Sequence, residues 1–188
     1  MLTLTTHFAT EEIAYTGEQL HSLWAYRTFN ILGDSIVAFL GPCDIRPEHM
    51  RDVEDQKAGS AIYSERMLHF IIEHFDADLE KTVWRQWFFM ALMVERLNRR
   101  LGAPLVLRHG SDLYERDRKL TISIATVSPV SGLIHSGINI SSRNTPVPTR
   151  GLADLGVDPE DLARDMLAAY AEECRRIARA RCKVRACP

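Results

Sequence analysis

The chain is poor in cysteine and has none in a paired motif. Cys43, Cys174, Cys182 and Cys187 are its four cysteines in 188 residues. No two stand three apart, which excludes a CxxC zinc knuckle, and their irregular spacing does not suit a disulfide framework. Reduced thiols and a cytoplasmic location are the expectation. Long apolar runs are also missing. The longest strongly apolar stretch, Trp87 to Val94, spans eight residues before Glu95 and Arg96, where ~20 would be needed to cross a bilayer. Met1–Gly17 lacks both a positively charged opening and a long apolar segment, so no signal peptide is expected. Neither sign of charge dominates. Lys and Arg number 23, Asp and Glu 25, and the net charge is -2 with a pI near 6.4. That balance gives no reason to expect a nucleic-acid or membrane-surface partner. The basic tail Arg175–Arg185 reads first as a solvated helix face, with contact to RNA phosphates as the alternative. Repeats and low-complexity tracts are absent. What is present, 46% hydrophobic and 26% charged residues, is the mix of one globular domain spanning 1–188.

Hydrophobic periodicity places the elements. Residues 17–29 are predicted as a short amphipathic helix with Leu20, Leu23 and Trp24 on one face. Ser35–Leu40 reads as a buried strand ended by Gly41-Pro42. A polar loop follows to about Gly59, with room for a short helix. Met67–Phe75 is predicted as a strand, which sets His69 and His74 on opposite faces. Asp78–Leu101 carries the clearest helical signal, with an acidic cap, Arg99 and Arg100 at its C-terminal dipole, and Gly102 and Pro104 as stops. Trp84, Trp87, Phe88 and Phe89 make this helix apolar on more than one side, which suggests core packing plus contact with a second copy. Strands are predicted at Leu105–Arg108, Lys119–Val127 and Leu133–Ile140. Asp158 as cap and Pro159 in the first turn start a last helix running to about Arg181. The sum is an α+β fold: an antiparallel-rich mixed sheet with helices packed against it.

The stretch Arg108–Ile140 concentrates the chemistry. Asp112 stands on the turn before one strand and Lys119 at the start of the next; His135, Gly137 and Asn139 lie on the strand after that. A lysine at a strand end beside a pocket can neutralise charge developing on a carboxylate or phosphate during acyl transfer. Gly137 would let a ligand approach the backbone, and Asn139 can bond a ligand or help hold a metal-bound phosphate. Each residue also has a plain reading. Lys119 is then a solvated strand-end lysine, Asp112 a turn former, Asn139 a satisfier of backbone groups and His135 a hydrogen-bonded core histidine. Cys43, after Gly41-Pro42, is either an accessible thiol of lowered pKa or a buried inert one. His49, Asp52, Glu54 and Asp55 are a solvated charged loop or an acid–base or cation-binding group.

Asp112-Leu113-Tyr114, Arg118-Lys119-Leu120 and Gly137-Ile138-Asn139 follow one another in the order and near the spacing of motifs in the biotin protein ligases. Over residues 15–141 the chain resembles their catalytic domain, with 152–183 as a C-terminal helical segment. The strings GPCD, EHM, EHF, SPVS and GINI are similar to a family of uncharacterised small proteins grouped with the biotin and lipoate ligase branch of the class II aminoacyl-tRNA synthetase fold. The resemblance implies a cavity for a small carboxylate or nucleotide, ATP with Mg as cofactor, Lys119 against the anionic acyl or adenylate group, and Asp112 and Asn139 in support. It also marks Arg108, His109, Ser123, His135, Gly137, Gly41, Cys43 and Asp44 as ligand-binding candidates, and no metal site of the protein's own. Three departures stand out. The ligases' glycine- and arginine-rich loop is replaced by GPCDIRPEHMRD, which offers Arg46 and Arg51. The small pair after the lysine is Thr121-Ile122, which narrows or reshapes a biotin-sized slot. No cysteine lies between Cys43 and Cys174, which argues against the covalent octanoyl-transfer route. Two readings follow: an enzyme handling an acyl group or acyl-adenylate, and a non-catalytic module that binds a small ligand.

Overall fold

The computed structural model describes residues 4–60 and 62–187; the first three residues of the stretch read for a signal lie outside them. In chain order the elements are β1 (Thr5–Phe8), α1 (Trp24–Phe29), β2 (Ser35–Ile45), a 3₁₀ turn (Pro47–His49), α2 (Val53–Ala58), β3 (Ile62–His74), α3 (Leu79–Leu101), β4 (Val106–His109), β5 (Asp112–Glu115), β6 (Arg118–Lys119), β7 (Thr121–Val127), β8 (Gly132–Asn139), a second 3₁₀ turn (Ala153–Leu155) and α4 (Pro159–Ala180). The main sheet has the order β1-β2-β3-β8-β7. β1 runs parallel to β2 and every other pair is antiparallel. A small three-stranded sheet, β4-β5-β6, stands beside it. The architecture is the expected α+β sheet with helices against it.

The central strands are apolar at successive positions because both of their faces are covered. Ile36, Ala38, Leu40, Leu68, Phe70, Ile72, Ile134 and Ile138 face α3 and α4 and pack with Phe89, Met90, Met93, Leu97, Leu162, Met166 and Tyr170. Val37, Phe39, Cys43, Met67 and Ile71 face the other way, toward Tyr15, Trp24 and Ala25. The two faces meet different partners, so a one-residue slip would exchange both sets at once. Burial on each side adds roughly 1.5–3 kcal/mol for each large apolar side chain. Asp78 and Asp158 cap α3 and α4 by accepting from Lys81 N–H and Asp161 N–H. Gly102 closes α3 at φ 67°. α4 is integral to the core. Trp84, 66% exposed, stands on the outer face of α3, and Trp87 lies beneath the Arg108 guanidinium, 5.2 Å from its ring centroid.

Three sequence expectations need correction. The helix foreseen over 17–29 is confined to Trp24–Phe29, because Leu23 sits at φ 66° with its N–H bonded to both oxygens of the buried Glu73 carboxylate (2.9 and 3.1 Å). Gly41-Pro42 does not end β2. The strand runs on to Ile45, and the register slips between Gly41–Met67 and Cys43–Ser64. Pro42 opposes the extra residue there, where a missing N–H costs no ladder bond. Finally, Lys119 ends the short strand β6 rather than opening β7, and Asp112–Glu115 is itself a strand. Leu120 interrupts the run, so it joins the helix-side core while Ile122 packs on the opposite face.

Gly41 shows how tight the second face is. A Cβ there would lie 2.0 Å from the Ile13 carbonyl oxygen, a backbone atom fixed by its own bond to β2, Ile13 N–H to Leu40 O at 2.9 Å. Gly41→Ala is expected to destabilise the fold by about 1–3 kcal/mol or more through overpacking. A urea unfolding midpoint unchanged from the parent would contradict this.

Candidate functional site

A cavity of about 510 Å³ opens on the face of the sheet remote from α3 and α4, within the range of small-ligand sites. Its floor is Met67 of β3, Ile122 and Ile124 of β7, and His135 and Asn139 of β8. Tyr15, Cys43, Ser64 and Tyr63 form one wall, the turn His49–Asp52 with Asp55 another, and Asp112, Tyr114, Asp117 and Lys119 a third, closed by Thr145–Thr149. Why Ser64 and Met67 both border the cavity follows from the bulge. The extra residue on β3 reverses the inward–outward alternation, so positions three apart point the same way.

Lys119 is held at both its backbone and its side chain. Its N–H donates to Pro148 O (3.1 Å) and its carbonyl accepts from Arg150 N–H (3.0 Å). Its ammonium meets Asp112 Oδ2 at 2.9 Å, with less than a third of either side chain exposed. Burial raises the Asp112 carboxyl above its ordinary value even though Lys119 opposes the shift. Asp52 is partly committed to capping α2, accepting from Glu54 and Asp55 N–H. The other cation on the wall is Arg51. Among the described residues, no group of three or more His, Cys, Asp or Glu is arranged to hold a metal ion.

The floor is uncharged. His69 Nε2 lies 3.3 Å from Gly41 O and its Nδ1 3.1 Å from His135 Nε2. A carbonyl can only accept, so His69 carries its proton on Nε2 and its Nδ1 accepts from His135 Nε2–H. Burial drives His69 down to about 3 and His135 well below its usual range, with His69 adding to the latter effect. Tyr15 stacks on His135 with ring centroids 3.6 Å apart, and burial raises its phenol. Burial, and then Asp44, pushes the Cys43 thiol up to about 12, so Cys43 is the inert thiol of the two readings.

Of the residues expected here, Lys119, Asp112, His135, Asn139 and Cys43 line the cavity. Ser123 borders it, but its hydroxyl is turned to the helix side, bonding Gln86 and Ser136. Gly137 makes room for protein rather than ligand, since a Cβ would meet Met67 Cε at 2.9 Å and His69 Nδ1 at 3.3 Å. Gly41 likewise admits the Ile13 segment and anchors His69. Asp44 is exposed and alternates away from its neighbours Cys43 and Ile45. Arg108 lies over Trp87 and bonds Gly110 O. His109 packs edge-on to Tyr114 outside the cavity. His49, Asp52 and Asp55 of the polar loop do reach the cavity; Glu54 does not. The sequence reading did not place Tyr15 or Ser64 in the site, nor pair His69 with His135. The available signal was two histidines set singly in apolar strands.

This architecture is that of the biotin and lipoate ligases. A biotin protein ligase from Aquifex aeolicus in complex with biotin and ATP superposes with a TM-score of 0.58 at 15% identity, over 92% of this chain and 69% of the other. Plasmodium falciparum LipL1 in complex with lipoate does so at 0.54 and 12%, over 90% and 63%. At such identities the likeness is one of fold. The chain itself belongs to the family described as Domain of unknown function (DUF366), whose model matches residues 4–185. A protein of unknown function from Pyrococcus horikoshii is 37% identical with a TM-score of 0.93, over 99% of this chain and 100% of that one. The uncharacterized protein MJ0805 of Methanocaldococcus jannaschii is 35% identical over 178 residues, 92% of this chain and 80% of its own. No helix among the described residues is long and apolar enough to cross a membrane.

The neutral histidines give a pH test. Their folded pKa values lie below the ordinary 6.5, so as pH falls the unfolded chain takes up protons that the folded chain refuses. Their contribution is fully present above pH 6.5 and is lost progressively as pH falls toward the folded values. The urea midpoint should therefore drop between pH 6.5 and about 5, above most of the carboxylate range. His135→Asn should flatten that segment, and an unchanged slope in the variant would contradict the assignment.

Proposed function

We propose that this protein is an enzyme that binds a small carboxylic acid in the cavity and handles it as an acyl group or acyl-adenylate, with Lys119 stabilising the anionic centre. The observation that carries the reading is the position of the Lys119 ammonium. It lies on the wall of a ligand-sized cavity, largely buried, with Asp112 as its only ion-pair partner among the described residues. In a site of lowered dielectric, a fixed cation beside a reacting carboxylate is worth far more than the same cation in water. A ligand carboxylate or phosphate would take up the ammonium N–H bonds that Asp112 does not fill. Asp112 keeps the amine charged and aimed until the ligand arrives.

ATP with Mg is the proposed co-substrate, with carboxylates and cations on the cavity walls as its partners. Mg²⁺ in nucleotide sites is commonly held by one or two carboxylates plus the phosphates rather than by an all-protein cage. Asp112, Asp117 and Asp55 are the carboxylates in reach, and Arg51 and Lys119 the cations that would face the phosphates. When bound, the nucleotide would supply an α-phosphorus for attack by the carboxylate oxygen, with pyrophosphate as the leaving group. The protein's own part is to hold the carboxylate at Lys119 and to exclude water with the Thr145–Thr149 segment.

A second reading has its own support. Asp52, Asp55, Asp112 and Asp117 outnumber Arg51 and Lys119 on the cavity wall, which disfavours a triphosphate and suits a module that binds a ligand without activating it. ATP–pyrophosphate exchange over a panel of short carboxylic acids separates the two. The enzyme reading predicts acid-dependent exchange that falls by a factor on the order of 10²–10³ in Lys119→Ala, while the parent fold is retained. Absence of exchange with every acid, alongside thermal stabilisation by one of them, would establish the binding module instead.

A further inference from the structure

A near-zero total conceals a division of charge along the chain. Residues 1–174 hold 17 of the 23 Lys and Arg residues and all 25 Asp and Glu residues, whereas residues 175–188 hold six cations and no acid. Arg175, Arg176 and Arg179 occupy the last turns of α4, and Arg181, Lys183 and Arg185 follow as the chain leaves the helix. Two of the six are neutralised where they stand: Glu172 accepts from Arg175 and Arg176, and Glu173 from Arg176. Arg179, Arg181, Lys183 and Arg185 are exposed and have no ion-pair partner among the described residues. The carboxylates at the start of α3 offer little relief. Asp76 is held by Lys81 and Arg85 and Asp78 caps the helix, which leaves Glu80. Four like charges crowded into one short segment repel one another, and a polyanion laid along them removes that repulsion.

Beside this run stands an exposed aromatic ring. α4 lies antiparallel to α3. Asp165 meets Arg100 and Arg96 at 3.0 and 3.4 Å, Tyr170 meets Phe88 with ring centroids 6.3 Å apart, and Glu173 and Arg176 share a groove with Phe88, Ala91 and Glu95. Trp84 continues that stripe of α3 by one more turn. The part of α4 that passes it is therefore the turn after Arg176, that of Arg179 and Ala180. Trp84 is 66% exposed, more than any other Phe, Tyr or Trp among the described residues. A large flat apolar surface is thus left in water next to cations that have no partner.

We propose that the C-terminal run and Trp84 form a binding surface for single-stranded nucleic acid, with phosphates taken by Arg179, Arg181, Lys183 and Arg185 and a base stacked on the indole. Five of the six cations are arginines, whose planar forks pair with phosphate bidentately and stack on flat rings. A polyanion without bases would use the cations and leave Trp84 idle, and a duplex hides the faces of its bases. A single strand uses both features. A membrane fits less well. The apolar face of α4, with Leu162, Met166, Leu167 and Tyr170, is already buried in the core, so the helix has no free apolar face to lay into a bilayer. The surface lies across the sheet from the cavity and does not depend on what the cavity holds.

The test titrates the full-length protein into a fluorescein-labelled single-stranded RNA of mixed sequence, about 12 nucleotides long to span one such surface, and reads anisotropy from low to moderate salt. Four cations on phosphates predict that Kd rises about 50-fold between roughly 50 and 200 mM salt. The unlabelled RNA should quench tryptophan emission. Trp84→Ala should abolish the quenching and weaken binding about fivefold or more, with the salt slope unchanged. The combined variant Arg179→Gln, Arg181→Gln, Lys183→Gln and Arg185→Gln should weaken binding about tenfold or more at low salt and lose most of the salt dependence, while keeping the parent's urea midpoint. Absence of saturable binding at low salt, or binding that survives the combined variant, would overturn the proposal. So would heparin or duplex RNA bound as tightly as the single strand with tryptophan emission unmoved. Capture by phosphatidylserine vesicles in place of RNA would assign the surface to a membrane instead. A dimer in sedimentation velocity that Trp84→Ala dissociates, with RNA leaving the emission unchanged, would assign Trp84 to a second copy of the chain; either result removes the proposal.

Discussion

The constraint on which the rest depends is that β2, β3 and β8 are covered on both faces by different partners. One face is a dry core against α3 and α4; the other carries the cavity. Because the same strands serve both, the side chains of the floor are set by the packing behind them. Ile134, Ser136 and Ile138 face the helices, which obliges His135, Gly137 and Asn139 to face the other side, where His135 and Asn139 line the cavity. A functional surface mounted on a rigid, doubly packed sheet holds its geometry without relying on loops.

On this scaffold the site separates into two electrostatic regimes. The walls formed by Asp52, Asp55, Asp112, Asp117, Arg51 and Lys119 are ionic and reach toward solvent. The floor at His135 and the wall of Tyr15, Cys43 and Ser64 are neutral because burial suppresses ionisation of Tyr15, Cys43 and His135. Fold likeness to enzymes that hold biotin or lipoate does not by itself carry chemistry over, and Ile122, in place of a small residue, reshapes the floor. The argument for function therefore rests on Lys119 and the cavity it borders.

Much of this was legible in the sequence, for identifiable reasons. α3 and α4 announce themselves through Asp78, Gly102 and the Asp158-Pro159 pair, all local signals. Lys119, Asp112 and Asn139 come together on one cavity, as the spacing of their motifs suggests. Asp44 and the hydroxyl of Ser123 face away from the cavity because facing depends on register, which the bulge opposite Pro42 and the break at Leu120 reset; Arg108 and His109 lie on the small second sheet, outside it. Neither the bulge nor the break has a composition of its own. Gly137 reads as an opening for a ligand and Gly41 as a ligand-binding candidate at a strand end. Their missing Cβ atoms instead admit Ile13, Met67 and His69, all distant in sequence. Tyr15 and the pairing of His69 with His135 were not legible because these contacts are made across elements that no local pattern connects.

The central claim is that a ligand's anionic end is held by the Lys119 ammonium inside this cavity. It is tested most directly by determining the crystal structure of the protein purified with its native small molecule retained. The account predicts a molecule in the cavity with a carboxylate or phosphate oxygen within hydrogen-bond distance of Lys119 Nζ. A retained molecule seated elsewhere, or one whose anionic group avoids Lys119, would contradict it.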